Sequence, residues 1–184
     1  YALARLRFRG RNVVFLLLIS TMMIPGYVTL IPNFAIMVKL KLLNSHWALI
    51  LRSALSGSAT SIFLFRQFFL SIPRDLENAA IVDGCSWPGV FFRIIMPNSK
   101  PAIATVIILS FRSTWNSFLW PQLVLQTDRL WTWTLALKIL SESETNQAVL
   151  LAGSVISILP ILIIYLACQK YFVNSQVSAG FGGT

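Results

Sequence analysis

Four long apolar stretches constrain this chain more than any other feature. Val13 to Val38, His46 to Leu70, Pro101 to Pro121 and Ala148 to Phe172 each supply the roughly 20 mostly apolar residues that a helix needs to cross a bilayer core. A spanning segment must satisfy its backbone polar groups internally, which favours helices. The fold class predicted is therefore all-α, a polytopic transmembrane helix bundle with about four spans. Hydrophobic side chains make up 56% of the 184 residues and charged ones only 11%, which leaves no room for a separate soluble domain. Residues 1–184 read as one transmembrane domain.

The formal net charge is +9, but the basic residues sit at span ends and not on one periodic soluble face, which argues against nucleic acid as a partner. Arg5, Arg7, Arg9 and Arg11 precede the first span. Arg66, Arg74, Arg93 and Lys100 border the segment between the second and third, and Lys170 ends the fourth. Fewer basic residues, Lys39, Lys41, Arg129 and Lys138, fall on the other side, so the positive-inside rule places the first group in the cytoplasm. Cys85 and Cys168 then lie on a reducing side and read as packing residues. The chain starts at Tyr1 without a signal peptide and reads as a fragment whose first residues end an earlier apolar segment.

Pro25 and Pro32 predict kinks in the first span. The small residues from Ser53 through Ser61 predict close helix packing in the second, in preference to substrate contact. Trp131 and Trp133, in the outward loop Gln122 to Gln147 with Glu142 and Glu144, read as an aromatic belt.

The segment 71–100 is a long polar interruption between spans. Ser71 and Pro73 suit a helix start, and Asp75 and Glu77 favour its first turn. Leu76, Ala79 and Ala80 share one weakly apolar face. Gly84 suits a left-handed stop. Ser86 and Pro88 open a second short helix that Pro97 ends. Two short helices at an angle are predicted at the cytoplasmic surface, either resting on lipid or docking a partner.

The run Glu77-Asn78-Ala79-Ala80-Ile81-Val82-Asp83-Gly84, followed by Ile94-Ile95-Met96-Pro97, closely resembles the EAA loop of ATP-binding-cassette importer permeases. Further stretches resemble the carbohydrate-uptake subfamily of maltose and glycerol-phosphate permease subunits: Tyr1 to Phe8, Met23-Ile24-Pro25, Phe65 to Phe69, Trp115 to Pro121 and Gln169 to Val173. The resemblance implies six spans in the full subunit and a multi-pass location in the bacterial plasma (inner) membrane. It also implies that 71–100 forms coupling helices docked on a cytoplasmic ATP-binding subunit, itself a dimer, through Glu77, Asn78, Ala79, Ala80, Asp83 and Gly84. Asn78 stands where the motif has its first glutamate, so it offers only neutral hydrogen bonds there. The implied function is import of a sugar or sugar derivative, with a second homologous permease subunit, an extracytoplasmic solute-binding protein and membrane lipid as partners. The alternatives are a peptide or anion importer of the same architecture and a non-transporting scaffold.

Arg112 lies within the third span, where a charge is costly and should face a cavity or a partner. With Trp115 and Asn116 one turn on, it makes a candidate substrate pathway: a ring face and an amide for a hydroxylated ligand. The alternative is that Arg112 pairs inside the bundle and Asn116 ties helices together. No Walker A sequence or other phosphate cradle occurs, and His46 stands without metal-ligating neighbours. No catalytic, cofactor or metal residues are predicted, and ATP hydrolysis is expected in a separate subunit.

Overall fold

A computed structural model describes residues 1–143 and 146–180; Glu144, placed by the sequence in the outward loop, lies outside them. The all-α expectation is met: among the described residues there is no strand. The helices are α1 (Ala2–Arg5), α2 (Arg11–Ser20), α3 (Leu30–Lys39), α4 (Trp47–Ser56), α5 (Ala59–Ser71), α6 (Arg74–Val82), α7 (Trp87–Asn98), α8 (Lys100–Trp115), α9 (Leu119–Val124), α10 (Trp133–Ser143) and α11 (Gln147–Gly180). Short 3-10 turns occupy Thr21–Met23 and Asp128–Leu130.

Three of the four predicted spans are interrupted. Among the described residues only Gln147–Tyr171, within α11, is a single helix long and apolar enough to cross a membrane. Two bent pairs have the required length and composition if each counts as one span, Trp47–Ala54 with Ala59–Ser71 and Trp87–Asn98 with Lys100–Trp115.

The first predicted span falls into two shorter apolar helices separated by residues 24–29. Pro25 lies in that break, where its carbonyl accepts from the Val28 N–H at 3.0 Å. Pro32 does not kink anything. It sits in the first turn of α3, where a helix has no use for the missing N–H.

The small-residue run of the second span also serves differently from the prediction. The helix stops at Ser56, and Ser58 caps the next one by accepting from the Ser61 N–H at 3.1 Å. Ser53, Ala54, Gly57, Ser58 and Thr60 are exposed in this chain, so the run marks a break and not a packed seam.

Two compact units divide the chain. One comprises the chain up to Met23, Ser58–Ile107 and the end from Ala167. Its core joins Ala4 of α1 and Phe69 and Ile72 at the end of α5 to Ala80 of α6 and to Val90 and Ile95 of α7. Tyr1, Phe65 and Phe91 pack around these residues, with the Tyr1 and Phe91 rings 5.1 Å apart.

The other unit comprises Ile24–Gly57 and Ile108–Leu166. Met37, Ala48, Trp120, Val124 and Leu125 form its core. Asn44, at φ +54°, locks the loop beyond α9: its side-chain oxygen accepts from the N–H groups of Gln126 and Thr127, both at 3.0 Å, and its amide donates to Thr127 Oγ1 at 2.7 Å. Asparagine is among the few residues that adopt this left-handed conformation readily.

Within the same unit α10 and α11 approach closely at Gly153. A Cβ there would lie 2.5 Å from Leu137 Cδ1, and small residues are what permit such approaches between helices in a membrane. Gly153→Val is expected to destabilise the protein by about 1–3 kcal/mol through overpacking, read as a lower melting temperature of the purified full-length subunit. An unchanged melting temperature would show that the contact yields.

Candidate functional site

The segment 71–100 is built from local hydrogen bonds that differ in part from those predicted. Ser71 still belongs to α5; its hydroxyl donates back to the Phe68 carbonyl at 2.7 Å and does not cap α6. Pro73 takes the N-cap position instead, and Asp75 and Glu77 fall in the first turn as predicted.

At the far end the Asp83 N–H donates to Ala79 O at 2.9 Å, Gly84 N–H to Ile81 O at 3.0 Å and Cys85 N–H to Ala80 O at 2.9 Å. Gly84 has the predicted left-handed conformation, φ +85°. Ser86 then caps α7, accepting from the Gly89 N–H at 3.4 Å, with Pro88 in the first turn.

Pro97 does not end the second helix. Residues 91–95 widen into a π turn, in which the Met96 N–H reaches back five residues to Phe91 O, so Pro97 enters the first turn of the short continuation Met96–Asn98. The helix stops at Ser99, whose hydroxyl donates to Ile95 O at 2.6 Å while the Asn98 amide donates to Ile94 O at 2.7 Å. The chain then bends by 73° into α8.

Burial separates the predicted docking residues into two sets. Glu77 and Ala80 are only 5% and 6% exposed, whereas Asn78, Ala79, Asp83 and Gly84 are exposed. The inward face of α6 is thus Glu77–Ala80; of the apolar face predicted to rest on lipid or a partner, Leu76 and Ala79 are exposed and Ala80 is buried.

The cause is Arg5, which lies in a buried position at the end of α1. Its Nε is 3.0 Å from Glu77 Oε1, and its guanidinium also donates to the Ile72 carbonyl. A buried carboxylate needs such a partner, and the pair decides which way α6 turns. Positive-inside reasoning placed Arg5 with its neighbours at the membrane surface and missed this role. The available signal was that Arg5, first of the N-terminal basic row, directly follows the apolar residues Ala2, Leu3 and Ala4.

Sequence reasoning also missed an exposed apolar edge. Val82 is 86% exposed, Phe92 68% and Trp87 50%, and they accompany Asn78, Ala79 and Asp83 on the same pair of short helices.

Arg112, Trp115 and Asn116 come together at the end of α8, where the Asn116 N–H donates to Arg112 O at 3.1 Å. Arg112 and Asn116 are exposed. Trp115 is half-buried and stacked on Phe111 at 5.6 Å, and its indole N–H donates to Ser157 O at 3.0 Å. Trp133 donates to the hydroxyl of the same serine at 2.6 Å. Both indole donors therefore tie α8 and α10 to α11.

His46 Nε2 lies 3.0 Å from Leu130 O and donates to it. Among the described residues no group of three metal-ligating side chains occurs, and Cys85 and Cys168 are free thiols, half-buried and buried.

Comparison with known proteins agrees with this architecture. The arabinooligosaccharides transport system permease protein AraQ of Bacillus subtilis (strain 168) is 42% identical over all 184 residues. The probable ABC transporter permease protein YurM of the same organism is 39% identical over 184 residues. The sn-glycerol-3-phosphate transport system permease protein UgpE of Salmonella typhi is 36% identical over 97% of the chain.

The chain spans 65%, 61% and 64% of these relatives, respectively. A chain in the crystal structure of a bacterial ABC transporter involved in the import of the acidic polysaccharide alginate superposes with a TM-score of 0.75 at 29% identity, covering 94% of this chain and 65% of that one. The family model described as binding-protein-dependent transport system inner membrane component matches residues 1–175. The chain belongs to that family of inner-membrane transport components.

Proposed function

We propose that residues 1–184 act within one membrane-spanning permease domain of an ATP-driven importer, with 71–100 as its cytoplasmic coupling loop, and that the solute is a sugar or sugar derivative. An external binding protein delivers the solute, a second homologous permease subunit completes the pathway, and a separate cytoplasmic subunit hydrolyses ATP. The sugar class is supported by the relatives, which are named for arabinooligosaccharides and sn-glycerol-3-phosphate. The observation that carries the coupling reading is the exposed edge of Asn78, Ala79, Val82, Asp83 and Gly84 on a helix anchored from its other side by the buried Arg5–Glu77 pair. A helix held rigidly to its own unit transmits a push, and small exposed residues beside an uncovered valine admit close approach by a protein partner.

Within this reading Glu77 and Ala80 act from inside by orienting the helix, and Asn78, Ala79, Asp83 and Gly84 make the contact. Arg112 and Asn116, exposed at the end of α8, line the solute pathway, with Trp115 as its packed wall.

The test is photo-crosslinking in the full-length gene product expressed with its candidate ATPase. A crosslinker at Ala79 or Val82 is expected to capture the ATPase in an ATP-dependent yield, and one at Ala80 to capture this chain itself. Lipid adducts alone at Ala79 and Val82 would overturn the reading in favour of a surface-lying helix pair.

A further inference from the structure

We propose that the unit holding the N-terminal residues carries a binding site for an anionic phospholipid headgroup, formed by Arg7, Arg11 and Arg74. These three arginines line one cavity of about 570 Å³ together with Phe8, Asn12 and Val13. They come from two separate parts of the chain: Arg7 precedes α2 and Arg11 opens it, whereas Arg74 is the first residue of α6.

No acidic side chain lines the cavity, and among the described residues no carboxylate pairs with any of the three. The hydrogen bond that Arg11 makes is a long one, from Nη1 to Leu6 O at 3.4 Å. Three arginines that line one cavity with no acidic residue among its lining leave its positive charge uncompensated, and a phosphate would compensate it through charge-assisted, often bidentate hydrogen bonds. The cavity also borders the start of α2, a ten-residue helix, whose first N–H groups add donors and a positive dipole end.

The surroundings select a lipid as the source of the phosphate. Directly beyond the arginines α2 exposes Val13, Val14, Leu16 and Leu17, between 44% and 65% accessible. A headgroup held at Arg7, Arg11 and Arg74 would thus have an apolar helix face along which its acyl chains can lie, the arrangement by which basic interfacial pockets hold anionic lipids. A free phosphate would gain nothing from that face. Because Arg74 opens α6, a bound lipid joins α2 to the start of the candidate coupling helix. The site itself depends only on membrane residence and does not require the transport reading.

The experiment uses the full-length subunit in its assembled complex, in nanodiscs containing phosphatidylglycerol or phosphatidylcholine, with retained lipid measured by native mass spectrometry after detergent exchange. Phosphatidylglycerol should be retained over phosphatidylcholine, and millimolar inorganic phosphate should not displace it. Each Arg→Gln change at 7, 11 or 74 is expected to weaken retention about fivefold, and the triple variant about 100-fold. Arg93→Gln, which removes an exposed charge elsewhere in the same unit, should change it less than twofold. Equal retention of both lipids, equal retention by the triple variant, or an Arg93→Gln loss as large as a site variant's would overturn the proposal. Displacement by inorganic phosphate would identify a free-anion site and overturn the lipid assignment.

Discussion

Gly84→Pro is expected to abolish solute uptake while leaving the subunit in the membrane. Gly84 has φ +85°, and its N–H donates to Ile81 O at 3.0 Å. Proline is held near φ −65° and has no N–H, so the substitution removes both the left-handed turn and one of the bonds that close α6. The change in direction from α6 to α7 is made at this residue, so the exposed edge at Ala79, Val82 and Asp83 loses its orientation relative to Trp87 and Phe92.

Space is not the obstacle, since a Cβ at Gly84 would meet nothing within 4 Å. The penalty is conformational, which predicts a graded series. Gly84→Asn should retain most uptake, because asparagine tolerates the left-handed region. Gly84→Ala should be weakened by about 1–2 kcal/mol of backbone strain, and Gly84→Pro should fail. Uptake into vesicles containing the reconstituted complex, with membrane content measured alongside, distinguishes the outcomes. Normal uptake by Gly84→Pro would mean that this turn does not transmit force.

The legible parts of this chain were those whose cause is local in sequence. Gly84 as a left-handed stop, Ser86 and Pro88 as a helix start, and Asp75 and Glu77 in a first turn follow from neighbouring backbone groups. So does the apolar continuity of Gln147–Tyr171. The misreadings occurred where a distant residue or a hydrogen-bond register decides. Nothing near Glu77 indicates that Arg5 will reach it across 72 positions, so the sequence groups Glu77 and Ala80 with the exposed docking residues although both are buried. Pro97 resembles a terminator until the π turn before it removes the need for its N–H. Apolar runs report solvent and not continuity, so Val13 to Val38 reads as one span although it forms two helices. The Arg112 cluster was found as a charge in an apolar run, but the use of the Trp115 indole on Ser157 depends on α11, 42 residues away.

The second large effect concerns the Arg5–Glu77 pair, and its prediction is asymmetric. Removing one partner leaves the other charge buried at 5–6% exposure, which costs about 3–5 kcal/mol in comparable buried pairs. Arg5→Met and Glu77→Leu are therefore each expected to destabilise the purified full-length subunit severely. The double variant Arg5→Met/Glu77→Leu removes both charges and should recover most of that loss. It should not recover all of it, because the Ile72 carbonyl, at a residue only 8% exposed, loses the donor that Arg5 supplies, and an unsatisfied buried acceptor costs about 1–3 kcal/mol.

The same carbonyl makes the reversed pair informative. Arg5→Glu/Glu77→Arg preserves the ion pair in principle but presents a carboxylate to an acceptor, so it should be less stable than the apolar double variant. Melting temperatures of the four variants and the wild type test this order directly. If the reversed pair matched the wild type, the Ile72 contact would carry no weight and the two charges alone would hold α6 in place. If both single variants melted with the wild type, the pair would not be what turns Glu77 inward, and the division of α6 into an anchored face and a proposed docking face would lose its basis.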